Sequence, residues 1–246
     1  LGKKLTTAVA GAALTIAGVG GTVSSQPHSV TPTTALASSE SAGADGSFNA
    51  NKNHQRWAIK TSVQSDPSLS AVKTVDVVTL AKGEPIKESE KQFDKKFIPE
   101  PGPGGFHEGQ IIQTEGYIHL VAFEAKDDSD YHIQINDKPT NSPEDLSPCL
   151  IVEVPHPDAA ATPALASEFA SVRALLRDKC FGGQTPSGTV ATPLHVRVTG
   201  QLFYDLSHSG SADPGGGRGK VVAGTKMSAT TIWELHPVTK IEILPN

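Results

Sequence analysis

Between residues 158 and 181, Leu165, Phe169, Val172, Leu175 and Leu176 recur with the 3.6-residue period of a helix. Short stretches that alternate apolar and polar side chains flank this run on both sides. One clear helix set among strands excludes a helical bundle and restricts the chain to folds that carry a single helix on a β framework. Ser167 is the expected N-cap, and Gly182-Gly183 ends the run.

Ahead of the helix, strands are expected over residues 115–124, 131–136 and 150–154, and after it over 194–205, 230–235 and 239–244. In the first, Tyr117, His119, Val121 and Phe123 fall on one face and Ile118, Leu120 and Ala122 on the other. Gly200 interrupts the long fourth strand where a bulge or bend lets a sheet curl, and Pro237 divides the last. The order strand, strand, strand, helix, strand, strand predicts a mainly β fold with one helix. The expected form is an OB-like five-stranded Greek-key barrel with an N-terminal extension. A β-sandwich and an α+β sheet with the helix on one face are the alternatives.

The first residues have the pattern of a secretory leader. Lys3 and Lys4 precede an apolar run through Val19, and Val23-Ser24-Ser25 has the small residues of a cleavage site. We expect a signal peptide over residues 1–25, with Ala35-Leu36-Ala37 as the latest cleavage point. The apolar run is too rich in Gly, Ala and Thr for a membrane anchor, which needs roughly 20 strongly apolar residues. Residues 26–51 are mostly Ser, Thr, Ala, Gly, Pro and Asn and read as a flexible tether. Residues 52–105 form an N-terminal strap, with β-like stretches at 56–63 and 72–80 and a Pro/Gly linker at 99–105, and the barrel spans 106–246. The expected location is secreted or periplasmic, with no transmembrane segment after cleavage.

The whole chain of 246 residues has a net charge of −5, and loss of Lys3 and Lys4 with the leader makes it two units more negative. This balance argues against non-specific binding of nucleic acid, whose phosphates need clustered Lys and Arg. Cys149 and Cys180, the only cysteines, are even in number in an exported chain, which permits the one disulfide expected between them, with two separate thiols as the alternative.

Several short constellations carry chemistry. Asp128-Ser129-Asp130-Tyr131-His132 puts two carboxylates in a turn before an imidazole, and period-two alternation sets His132 with Gln134 and Asn136, away from the apolar side. Glu153 stands between Val152 and Val154, where a carboxylate requires a partner. Asp205 and His208 lie at a strand end, and Glu234 and His236 share one strand face. Converging, Asp130, His132, Glu153, Asp205, His208, Glu234 and His236 would form a cluster for a divalent metal or for acid–base work. Apart, they would only bind backbone groups and pin loops. No other cofactor is expected. The Gly-rich run 215–219 lacks the Ser/Thr and the strand-to-helix setting of a phosphate loop, and no serine- or cysteine-hydrolase motif is present. Phe203, Tyr204 and Trp233 are read as core aromatics.

Arg56-Trp57-Ala58-Ile59-Lys60-Thr61, the Asp128–His132 turn, Ile151-Val152-Glu153-Val154-Pro155, Val198-Thr199-Gly200 with Tyr204-Asp205 and His208, and Glu234-Leu235-His236-Pro237-Val238 occur in that order. In this the chain resembles a functionally uncharacterised family of exported bacterial proteins. The resemblance implies one exported domain over about residues 56–244 and no particular activity. The expected function is a secreted or periplasmic binding or envelope-associated module without catalysis, its ligand a protein, glycan or small molecule. The alternatives are a metal-dependent, phosphodiesterase-like hydrolase using the carboxylate/His cluster, and a nucleic-acid-binding OB module.

Overall fold

In the computed structural model five strands close on themselves. They are β2 (Ile111–Phe123), β3 (Tyr131–Asn136), β4 (Cys149–Val154), β5 (Ser187–Tyr204) and β6 (Ala229–Ile243). Pairing runs β2-β3-β4-β6-β5 and returns from β5 to β2. All neighbours are antiparallel except β4 and β6. The described residues are 48, 56–86, 93, 95–126, 128–139, 142, 148–206 and 221–245. The expected leader, nearly all of the tether, His208 and the Gly-rich run lie outside them. A two-residue strand β1 (Lys73–Thr74) adds to β2 in parallel. Among the described residues the one long helix is α4 (Pro163–Phe181), which connects β4 to β5. This is the expected OB-like barrel with one extra strand.

One side of all five barrel strands feeds a single apolar cluster. Ile112, Ile118 and Val121 of β2 meet Ile133 and Ile135 of β3, Leu150, Val152 and Val154 of β4, and the matching residues of β5 and β6. Phe169, Val172 and Leu176 of α4 join it, so the helix buries the face its periodicity assigns. The alternation in β2 does not run through unbroken. A bulge between Ile118 and Leu120 puts Ile118 with Val121 in the main core, while Leu120 and Ala122 turn to the other side with Cys149, Val222 and Met227. Register shifts also flank Gly200, whose Cα approaches the Pro237 carbonyl so closely that a Cβ there would lie 3.0 Å from it.

Several expectations need correction. The N-cap of α4 is Thr162, whose hydroxyl accepts from the Leu165 amide; Ser167 lies inside the helix and donates back to the Pro163 carbonyl. β6 runs unbroken through Pro237, its His236–Pro237 peptide being cis. The strap is not stranded at 56–63. It forms the single turn α1 (Trp57–Lys60), followed by α2 (Pro67–Ser70) and α3 (Val77–Leu80), because Asp66 and Asp76 cap the next turns with their carboxylates. The segment expected as a linker packs against the barrel, with Gly102 pressed onto the Trp233 ring. Cys149 and Cys180 are both free thiols. Cys149 faces Leu120 and Met227, whereas Cys180 lies on α4 against the main core, so the sheet itself separates them.

Candidate functional site

On the side of β3, β4 and β6 away from the main core, the chain buries charge. His132 pairs with Glu153 across β3 and β4, Ile151 with Glu234 across β4 and β6, and Glu234 with Phe203 across β6 and β5. The period of two therefore aligns His132, Glu153, Glu234 and His236 as neighbours on one surface. All four are at most 4 % exposed.

Glu153 holds the centre. Its Oε1 lies 2.9 Å from His132 Nδ1 and its Oε2 lies 3.1 Å from His236 Nδ1, so one carboxylate bridges two imidazoles. His236 Nδ1 is also 3.1 Å from Glu234 Oε1. On the far side of the ring, His236 Nε2 lies 3.1 Å from Asp130 Oδ2, but off the hydrogen-bonding direction. Among the described residues Nε2 and Asp130 Oδ1 have no hydrogen-bond partner. Burial and the Lys60 charge both press His236 toward neutrality, yet its contacts with Asp130, Glu153 and Glu234 outweigh them and raise its pKa well above the ordinary histidine range. Burial, with Asp128 nearby, raises that of Asp130.

The turn from β2 to β3 delivers both aspartates. Ser129 adopts φ 68°, the left-handed region, which reverses the chain between Asp128 and Asp130. The Ser129 amide donates to the Glu124 carbonyl, and Arg173 of α4 donates to the Ser129 and Val154 carbonyls with its guanidinium 3.7 Å from the Tyr131 ring. The long helix thus fixes this turn from below. Glu124, at the end of β2, lies 3.8 Å from His132 Nδ1, and burial beside Glu153 pushes its carboxyl up to about 7.

The strap closes the site. Lys60 extends from α1 so that Nζ is 3.1 Å from Asp128 Oδ2 and 3.9 Å from Glu153 Oε2. Burial opposes its charge, but Asp205, Glu153, Asp128 and Glu234 more than offset this and hold the ammonium well above its usual range. Arg56, at φ 62°, anchors the start of α1. Its guanidinium clamps both Glu108 oxygens, at 2.7 and 2.6 Å, and lies 4.9 Å from the centre of the Phe203 ring.

The structure therefore brings together Asp130, His132, Glu153, Glu234 and His236 and adds Asp205 through its effect on Lys60; His208 lies outside the described residues. Lys60, Glu124 and Asp128 belong to the cluster although sequence reasoning does not place them in it. Lys60 and Asp128 stand inside two of the quoted motifs, which was the available signal; Glu124 carried none beyond its place before the turn. Phe203 faces this cluster, its ring centre 5.6 Å from that of His236, while Tyr204 and Trp233 are core as expected. A separate open groove of about 400 Å³ lies between α4 and β6, with Val172, Leu175 and Ile241 between Glu168 and Lys240, and includes no member of the cluster. No described helix is long and apolar enough to cross a membrane.

Two overlapping sets place one donor atom from each residue within 4.8 Å of the others: Glu124, His132 and Glu153, and Asp130, Glu153 and His236. Imidazole with carboxylates is a donor set for divalent transition metals and equally a set for moving protons. Compared with models of protein families, with curated proteins and with solved structures, the chain matches none.

Proposed function

We propose that this chain is an exported OB-like binding module, associated with the cell envelope and without catalytic activity. The observation that carries the reading is the sealing of the charged cluster. Apart from Glu124 at the edge, whose side chain is 30 % exposed, the cluster is covered: the side chains of Lys60, Asp128, Asp130, Glu153, Glu234 and His236 are at most 7 % exposed, with α1 laid over them and latched by Arg56. A hydrolase needs its water-activating groups open to substrate, whereas a sealed cluster ties the strap to the barrel and leaves recognition to the surface. The acidic charge balance favours a protein, glycan or small-molecule ligand over nucleic acid.

Two measurements test this. Expressed with its leader in a bacterial host, the chain should be shortened by 25 to 37 residues and should sediment with isolated envelopes; an unprocessed chain, or one wholly in the supernatant, overturns the location. Incubated with bis-p-nitrophenyl phosphate and p-nitrophenyl acetate, with and without Zn²⁺ or Mn²⁺, it should give no turnover above buffer. Metal-dependent turnover that Glu153→Gln removes would replace this reading with the metal-dependent hydrolase, which the convergence of His132 and His236 on Glu153 favours.

A further inference from the structure

We infer that Asp130, Glu153 and His236 form a binding site for one divalent transition-metal ion, Zn²⁺ being the best match to their donor set. The inference does not depend on whether the barrel is catalytic.

The first argument is the pair of orphaned atoms. His236 and Asp130 are 0 % and 2 % exposed, yet among the described residues His236 Nε2 and Asp130 Oδ1 make no hydrogen bond. Leaving a buried polar atom unmet is destabilising, and here two such atoms belong to side chains already in contact. A hydrogen bond would align Nε2 with Asp130 Oδ2. Instead the two atoms stand 3.1 Å apart off that direction, as two donors to a common third partner would. That spacing is close to the roughly 3.3 Å between ligands of a tetrahedral zinc, each about 2.0–2.1 Å from the ion, while the Glu153 donor, now beside Nδ1, lies within 4.8 Å of the other two and closes in when the ion binds.

The second argument is charge. Glu124, Asp128, Asp130, Glu153, Asp205 and Glu234 gather around one ammonium, Lys60, and two imidazoles, His132 and His236. Among the described residues, with every carboxylate ionised and both rings charged, these carboxylates outnumber these cations two to one. A desolvated excess of one sign is relieved by protonation or by a counter-cation, and a dication supplies the second without displacing Lys60, whose Nζ is 3.1 Å from Asp128 Oδ2. The imidazole disfavours Mg²⁺ and Ca²⁺, which take oxygen ligands, and the absence of thiolate among the three donors sets the site apart from Cys-rich structural zinc sites. Glu153 also serves His132, which orients its carboxylate as an outer-shell partner does.

The test is calorimetric titration of the full mature chain, freed of metal by chelator, with Zn²⁺ and then Mn²⁺. One Zn²⁺ per chain is expected, with a higher Tm, and binding at least tenfold weaker in Asp130→Asn, chosen because Asp130 Oδ1 has no hydrogen bond to lose. Zinc X-ray absorption on the unaltered chain should show one imidazole among oxygen ligands and decides the matter even if a variant fails to fold. No binding of either ion at micromolar concentration, equal affinity in Asp130→Asn, or a zinc shell without imidazole would each overturn the site. Turnover by the zinc-loaded chain would count against the non-catalytic reading and leave this one intact.

Discussion

Arg56 and Glu108 form a buried two-pronged ion pair, Nη1 to Oε1 at 2.7 Å and Nη2 to Oε2 at 2.6 Å, between the start of the strap and the segment leading into β2. The pair is built into the backbone on both sides. Arg56 also donates to the Phe93, Lys96 and Tyr204 carbonyls, while Glu108 accepts from the Ile98 and Tyr204 amides. It therefore joins three stretches of chain to the end of β5.

Removing one partner leaves the other charge buried, which costs about 3 to 5 kcal/mol. Arg56→Ala and Glu108→Ala should each lower the unfolding free energy measured in urea by that much, and Arg56→Met with Glu108→Leu together should recover part of it. In the single variants limited proteolysis should cut between residues 62 and 72, because α1 loses its latch. Equal stability of Arg56→Ala and the parent chain would show that the clamp contributes nothing.

Trp233 packs where a side chain would not fit. A Cβ on Gly83 would lie 2.6 Å from the ring at Cδ1, and one on Gly102 would lie 2.7 Å from Cη2 and Cζ2, while the indole Nε1 donates to the Glu84 carbonyl. Gly102→Ala should cost about 1–3 kcal/mol through overpacking and should shift the tryptophan emission maximum. Gly182→Ala provides the contrast. It meets no atom within 4 Å but sits at φ 58°, so it should cost about 1 kcal/mol through its backbone alone and leave the emission unchanged.

The barrel was legible because each strand announces itself by alternation and the helix by its period, and their order leaves few closed topologies. The site was legible in part. Glu153 and His132 betrayed themselves as polar residues in or beside apolar strands, and period two gives the face on which Glu234 joins His236. What the sequence hides is the strap. Its Trp57 and Ile59 alternate as a strand would, but a tetrad this short takes its form from Arg56, bound 52 residues away to Glu108, while Asp66 and Asp76 cap the two turns that follow. Lys60 enters the cluster only through that long-range anchoring. The disulfide expectation failed for a related reason: cysteine parity carries no information about which side of a sheet each thiol faces.

Both thiols should be countable. Alkylation with iodoacetamide under denaturing, non-reducing conditions should add two labels per chain, and one bridged pair would add none. In the folded chain at pH 8 Cys180 should react far more slowly than free cysteine, because burial pushes its thiol up to about 11 and leaves little thiolate. Mass spectrometry of the tryptic peptides distinguishes the two positions.

Asp76 offers a pH-dependent contribution that can be isolated from the buried cluster. Its Oδ1 accepts from the Thr79 amide at 2.8 Å and its Oδ2 from the Thr79 hydroxyl at 2.7 Å, and these bonds, the hydroxyl's first, hold the carboxyl below its ordinary 3.8. A folded pKa below the unfolded one means that the folded chain binds the proton less readily. The stabilisation is therefore fully present above about pH 4 and is lost as pH falls through the folded value. Because the group is exposed, Asp76→Ala should cost only about 0.5–1 kcal/mol at pH 7, the lower range for an N-cap. The difference between parent and variant should narrow below pH 4 as the parent's carboxylate is protonated. Asp76→Asn, which keeps an acceptor but no charge, should show a smaller loss at pH 7 and less change with pH. Urea unfolding of the three chains from pH 3 to 7 measures this, and a gap between parent and Asp76→Ala that widens in acid would reverse the sign argued here.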